Sequence, residues 1–100
     1  MQVTIKGRHS EIPVNVRSYM EEKAAKLPKY YDRVMEVDVI IDEEGPKKRV
    51  ELVISVAGHE DFIAQEVGND LFACFDICMD HAEKQLTKFK EKVRDRKHPA

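Results

Sequence analysis

The chain is 100 residues long, 42% hydrophobic and 36% charged, with a formal net charge of −2 at pH 7, which bounds it to one charge-rich globular domain with a single modest core. No apolar run approaches the ~18 to 20 residues of a membrane span, and the N-terminus lacks the basic, apolar and small-residue segments of a secretion signal, so a cytoplasmic protein is expected. Two cysteines, Cys74 and Cys78, lie four apart, a spacing that predicts reduced thiols rather than a disulfide framework.

The elements follow in chain order. Val3 and Ile5 alternate with Thr4 and Lys6, predicting a first strand over 2–8 that stops near Gly7. Pro13 suits the first turn of a helix, where its missing N–H is no loss. Val16, Met20, Ala24 and Leu27 then recur at helical spacing, so 14–27 reads as an amphipathic helix ended by Pro28. A polar connection bearing Tyr30 and Tyr31 leads to a second strand over 34–42, built on Val37, Val39 and Ile41. Glu43-Glu44-Gly45-Pro46 is a turn, because glycine tolerates positive φ and proline cannot join a ladder. Val50, Leu52, Ile54 and Val56 make a third strand over 48–57, and Gly58-His59-Glu60 turns into a fourth over 61–67.

Gly68-Asn69-Asp70 opens a long second helix, with Asn69 or Asp70 as the side-chain cap. Leu71, Phe75, Cys78, Ala82, Leu86, Phe89 and Val93 form one apolar stripe along it. The order is β-α-β-β-β-α. The first helix crosses over between parallel neighbours, and the remaining strands form a meander. An α+β two-layer sandwich, with both helices on one face of a four-stranded sheet, buries every apolar face. A single domain, 1–100, is expected, its basic C-terminal end frayed from about residue 95.

Charge is unevenly spread. Residues 81–100 hold seven Lys/Arg against three acids, a net of +4, while residues 1–80 hold 10 against 16, a net of −6. Taking 100° per residue from Leu71, Lys84, Lys88 and Lys92 fall on one flank of the stripe at roughly 220° to 300°, and Lys90 and Arg94 on the other at roughly 100° to 140°. Two basic rails beside a buried seam suit phosphate contacts, which position a protein without reading bases. The competing reading is a solvated helix face with i,i+4 pairs such as Asp80 with Lys84.

These segments resemble a family. Met1-Gln2-Val3-Thr4-Ile5-Lys6-Gly7-Arg8-His9 is similar to the opening strand of the ribosome hibernation promoting factors, also called ribosome-associated inhibitors. The likeness continues through Val16-Arg17-Ser18-Tyr19-Met20-Glu21-Glu22-Lys23 and Lys26-Leu27. Asn69-Asp70-Leu71-Phe72-Ala73-Cys74-Phe75-Asp76 resembles the family's Asp-Met-Tyr-x-Ala-Ile-Asp, and Lys84-Gln85-Leu86-Thr87-Lys88-Phe89-Lys90-Glu91-Lys92 its Gln-Leu-x-Lys-x-Lys. Departures are Pro13 in place of a Thr/Ser cap, Leu71-Phe72 in place of Met-Tyr, and the two cysteines. The short-form pattern has neither the dimer-forming second domain of long members nor the acidic tail of some short ones.

The resemblance implies a protein that binds the small ribosomal subunit and whole ribosome along 16S-type rRNA, in the channel for messenger and transfer RNA. It implies inhibition of translation in starvation or stationary phase by occupancy, with a helper protein for ribosome dimerisation and neither DNA nor membrane as a partner. Carried over by position, the RNA-binding residues are Arg17, Lys23, Lys26 and Lys29 around the first helix, and Lys84, Lys88, Lys90, Lys92 and Arg94 on the second.

Other functions are weighed against this. Cys74, Cys78 and His81 share a helix side but lack a fourth ligand from a second element, so no metal or other cofactor is expected. No activated nucleophile, acid–base pair or phosphate-cradling glycine loop is visible, so no enzyme is expected. The alternatives are a generic structured-RNA-binding domain, or a protein-interaction module modulating a transcription factor, with Tyr30 and Tyr31 as exposed anchors.

Overall fold

Alternating strands and one-sided helices assemble as their patterns require. The structure is a computed structural model that describes residues 1–9 and 11–97, with side chains as far as Arg94. In it, β1 (Gln2–Gly7), α1 (Val14–Ala24), β2 (Val34–Glu44), β3 (Lys47–Val56), β4 (Phe62–Gly68) and α2 (Leu71–Lys97) follow one another in the expected order. The sheet runs β1-β2-β3-β4, with β1 and β2 parallel and both other pairs antiparallel. Register pairs Ile5 with Val39, Val39 with Leu52, and Leu52 with Ala64, so one row of inward side chains crosses all four strands. Residues to either side of that row in sequence point to the opposite face.

Both helices cover the inward face. Val16, Met20 and Ala24 of α1 and Cys74, Phe75, Cys78, Met79, Ala82 and Leu86 of α2 join Val37, Leu52 and Ile54 in one buried cluster. Phe75, Met20, Leu27, Leu52, Ile54 and Leu86 are among its largest fully buried side chains. The other face stays open, with Ile63 half exposed and Glu36, Asp38, Asp42 and Glu51 distributed over β2 and β3.

The boundaries that differ most from the sequence pattern are the end of α1 and the β2–β3 turn. α1 stops at Ala24 rather than at Pro28, and Leu27–Lys29 forms a separate 3₁₀ turn. Proline disfavours α geometry in the residue before it and donates no N–H, so the chain tightens early. The amides of Lys26, Lys29 and Tyr30 accordingly donate to carbonyls three residues back, Lys23, Lys26 and Leu27, at 3.0 to 3.1 Å. Leu27 is still completely buried, which ties the turn to the core.

The β2–β3 turn is shorter than expected. Glu43 and Glu44 pair with Lys48 and Lys47, leaving a two-residue loop of Gly45 and Pro46. Gly45 has φ +61°, and a positive φ followed by proline's fixed negative one matches the twist of a tight hairpin. The cap of α2 is Asp70, whose Oδ1 accepts the amides of Phe72 and Ala73 at 3.0 and 3.3 Å. α2 extends to Lys97; the fraying expected near residue 95 concerns side chains and a terminus outside the described residues.

Candidate nucleic-acid interface

Burying the apolar stripe of α2 forces its polar flanks outward. Lys84, Lys88, Lys90, Lys92 and Arg94 are all exposed. They divide into two banks. Lys88 and Lys92 border a groove toward β4, while Lys90 and Arg94 border one shared with Tyr31, Asp32 and Arg33. Lys84 stands on the crest, 2.9 Å from Asp80, with the two side chains 73% and 57% exposed. A pair so open to water contributes only about 0.2 to 1 kcal/mol, so it does not withhold Lys84 from a stronger anion.

The α1 side is arranged differently. Lys23, Lys26 and Lys29 line a groove of about 400 Å³ whose opposite bank carries Asp76, Asp80 and Glu83 of α2. Among the described residues no ion pair bridges this groove, but the facing acids lower its positive potential. Tyr19 borders one end of it. Its hydroxyl donates to Asp76 Oδ1 at 2.7 Å, its ring meets Phe72 and Phe75 edge-on, and Lys23 Nζ lies 5.7 Å from its centroid. The hydrogen bond to Asp76, more than burial, pushes the Tyr19 phenol above its usual range. At the other end, the charge of Glu83 raises Tyr30.

Arg17 is placed apart from the other cations. It is half-buried, and its Nη1 donates to the Ile5 carbonyl at 3.0 Å, tying α1 to β1. Tyr31 is also not where the sequence suggested. It is 5% exposed and packs edge-on against Phe89 with centroids 5.3 Å apart, so it is a core residue and no surface anchor. Its neighbour Tyr30 stays half-buried, because consecutive residues leaving a 3₁₀ turn point in different directions.

Sequence reasoning missed Arg33, which the chain delivers beside Lys90 and Arg94 although about sixty residues separate them. No periodic signal marks a cation in a connection. It also missed that the acids at the N-terminal half of α2 would face Lys23, Lys26 and Lys29. Charge is separated on a larger scale too. The cationic ridge lies on the helix side, and Glu36, Asp38, Asp42 and Glu51 sit on strands whose other face packs against the helices. Lys6 and Arg49 share that outward face and offset part of its negative charge.

The cysteines belong to the core. Cys74 and Cys78 are buried free thiols, and Cys78 Sγ donates to the Val50 carbonyl at 3.5 Å, while His81 is exposed and does not turn toward them. Burial pushes the Cys78 thiol up to about 12 from an ordinary 9.0, and raises Cys74 as well. A folded-state value above the unfolded one means that the native protein holds this proton more tightly. The resulting stability is intact below pH 9 and fades as pH climbs toward 12, so loss is expected on the alkaline side. At pH 8 the native Cys78 thiol should react with iodoacetamide at least about a thousandfold more slowly than in the urea-unfolded chain, because thiolate is depleted and access is closed, and Cys74 should be slowed in the same direction. Mass spectrometry of timed quenches checks this, and equal rates would place the thiols at the surface.

Fold and surface together define a class: a two-layer α+β domain that carries a cationic ridge along its longer helix. The family model described as Sigma 54 modulation protein / S30EA ribosomal protein matches residues 3–94. The chain belongs to that family. It is 35% identical to the ribosome hibernation promoting factor of Azotobacter vinelandii, over 96% of this chain and 89% of that one. To the ribosome hibernation promoting factor of Escherichia coli strain K12 it is 34% identical, over 94% of this chain and 98% of the relative. Among solved structures, the N-terminal domain of Thermus thermophilus Protein Y superposes with a TM-score of 0.78 at 31% identity, covering 89% of this chain and 99% of that one. A ribosomal subunit interface protein from Coxiella burnetii gives a TM-score of 0.83 over 91% of this chain and 99% of that one, and at 24% identity it speaks to the fold alone.

Proposed function

We propose that this chain is a ribosome hibernation factor that seats the helix side of its sandwich on small-subunit rRNA, in the channel used by messenger and transfer RNA. The observation that carries the reading is the exposed ridge Lys84–Lys88–Lys92, repeated once per turn, in a chain that belongs to a family with relatives named ribosome hibernation promoting factors. Occupancy, not bond chemistry, is the mode of action: long flexible cations seek phosphates and position the protein without a reaction. Lys90, Arg94 and Arg33 form the second bank. Lys23, Lys26 and Lys29 contribute less, because acids face them across the groove. The protein acts in the cytoplasm, on single ribosomes or, with a helper protein, on ribosome pairs.

The test is sedimentation of the purified protein with ribosomes on sucrose gradients, with and without bound transfer RNA. Co-migration with small subunits and whole ribosomes, competed by transfer RNA, is expected. Five phosphate contacts lower log K by about 3.5 to 4.5 per log unit of salt, which amounts to roughly a hundredfold or more between 50 and 200 mM. Protein remaining at the top of the gradient at low salt would overturn the proposal. Co-migration indifferent to salt would replace the ridge by an uncharged protein contact.

A further inference from the structure

Beside the ridge lies an aromatic cluster that phosphate binding does not use. His59 comes from the β3–β4 turn, Phe62 from the start of β4 and Phe89 from the C-terminal half of α2. The imidazole lies parallel to Phe62, with centroids 4.8 Å apart and planes 6° from coplanar, and meets Phe89 at 4.4 Å. Phe62 and Phe89 touch edge-on at 5.4 Å. His59 Nδ1 is 2.7 Å from the Glu60 carbonyl, an arrangement in which Nδ1–H donates and holds the ring plane. The two phenylalanines are half-buried, yet His59 is exposed. A flat ring is thus held in place at the surface with its side-chain entropy already spent.

These rings line an open groove of about 450 Å³ together with Lys88 and Lys92. That volume lies within the range that takes small ligands. The lysines are one helical turn apart, about 6 Å along the axis, and can follow a strand backbone. Glu91 borders the same groove, and its charge steers a phosphate toward the lysines.

We propose that this groove is a nucleotide subsite, in which an unpaired RNA base stacks on His59 over Phe62 and Phe89 while Lys88 and Lys92 hold the adjoining phosphates. The inference rests on the RNA-binding reading above and adds to it a contact with a base. Every base has a π-face, so the stack tolerates any sequence; the base must be unpaired and splayed out, which favours a loop or bulge over a continuous duplex.

The probe is a hexaribonucleotide with one central 2-aminopurine, titrated with the intact protein at pH 8 and low salt. Wild-type protein is expected to quench its fluorescence on binding. His59→Ala should abolish the quench and weaken binding by about 5- to 150-fold, the size of one base–aromatic stack, with the slope of log K against log salt unchanged. His59→Tyr should restore both. Lys88→Ala with Lys92→Ala should lower that slope by about 1.4 while keeping the quench at saturation. Phe62→Leu, which keeps apolar packing, should weaken the quench without unfolding the domain. Equal affinity and equal quench for wild type and His59→Ala would overturn the subsite, as would wild-type binding without any quench. Wild-type protein that never sediments with ribosomes overturns the parent reading instead, so the two failures are separable.

Discussion

Replacing Lys84 and Lys88 together by glutamate is expected to remove ribosome binding while leaving the fold in place. Two lost phosphate contacts alone account for about 1.4 to 1.8 log units at 0.1 M salt, roughly 25- to 60-fold. Reversal adds repulsion of comparable size, which takes the loss to the order of a thousandfold. The cost to stability is small. Both residues are exposed, and the Lys84–Asp80 pair contributes only a few tenths of a kcal/mol. Glutamate at 84 also puts a like charge one turn from Asp80, a penalty of similar size. Sedimentation with ribosomes reads the first effect and circular dichroism with urea unfolding reads the second. A folded double variant that still sediments would move the interface off this ridge.

The largest expected effect on stability comes from Phe75→Ala. Phe75 is completely buried, and Tyr19 packs edge-on against it at 5.9 Å. Deleting such a ring from a packed core costs about 3 to 5 kcal/mol, with the aromatic pair contributing about 0.5 to 1.5 of a comparable loss. A domain of this kind holds a total of only about 5 to 15 kcal/mol. With a urea slope of about 1 to 3 kcal/mol/M, the midpoint should fall by roughly 2 M, or the protein should fail to fold at 37 °C. Ile63→Ala is the matched control. Ile63 is 50% exposed on the open face of the sheet, and its removal should change stability by no more than about 0.5 kcal/mol. Equal losses for the two variants would mean that the open face is covered.

The two effects use different parts of α2, and their separation follows from its pattern. Phe75, Ala82 and Leu86 point into the sandwich, and Lys84 and Lys88 stand on the far side. Binding and folding are therefore independent across one helix, and the same independence lets the ridge accumulate positive charge at little cost to the core.

Much of this was legible in the residues themselves. The period-2 strands, the seven-residue stripe of α2, the helix start at Gly68-Asn69-Asp70 and the placement of lysines on two flanks are properties of one element at a time, and hydrophobic periodicity encodes an element's own faces. Element order then limits the topology, because a helix between strands one and two requires a crossover and the remaining short turns require hairpins. What tertiary structure alone decided concerns which faces meet. Tyr31 is in the core and Tyr30 only half-buried because a 3₁₀ turn replaced the last turn of α1. Asp76, Asp80 and Glu83 face Lys23, Lys26 and Lys29 because α1 and the turn after it lie beside α2 on one sheet. Arg33 reaches Lys90 and Arg94, and His59 and Phe62 reach Phe89, across long separations in sequence. A pattern along the chain states how each residue is turned about its own axis. The distance between two such axes is set by packing, and it was packing that assembled the aromatic platform beside the lysine ridge.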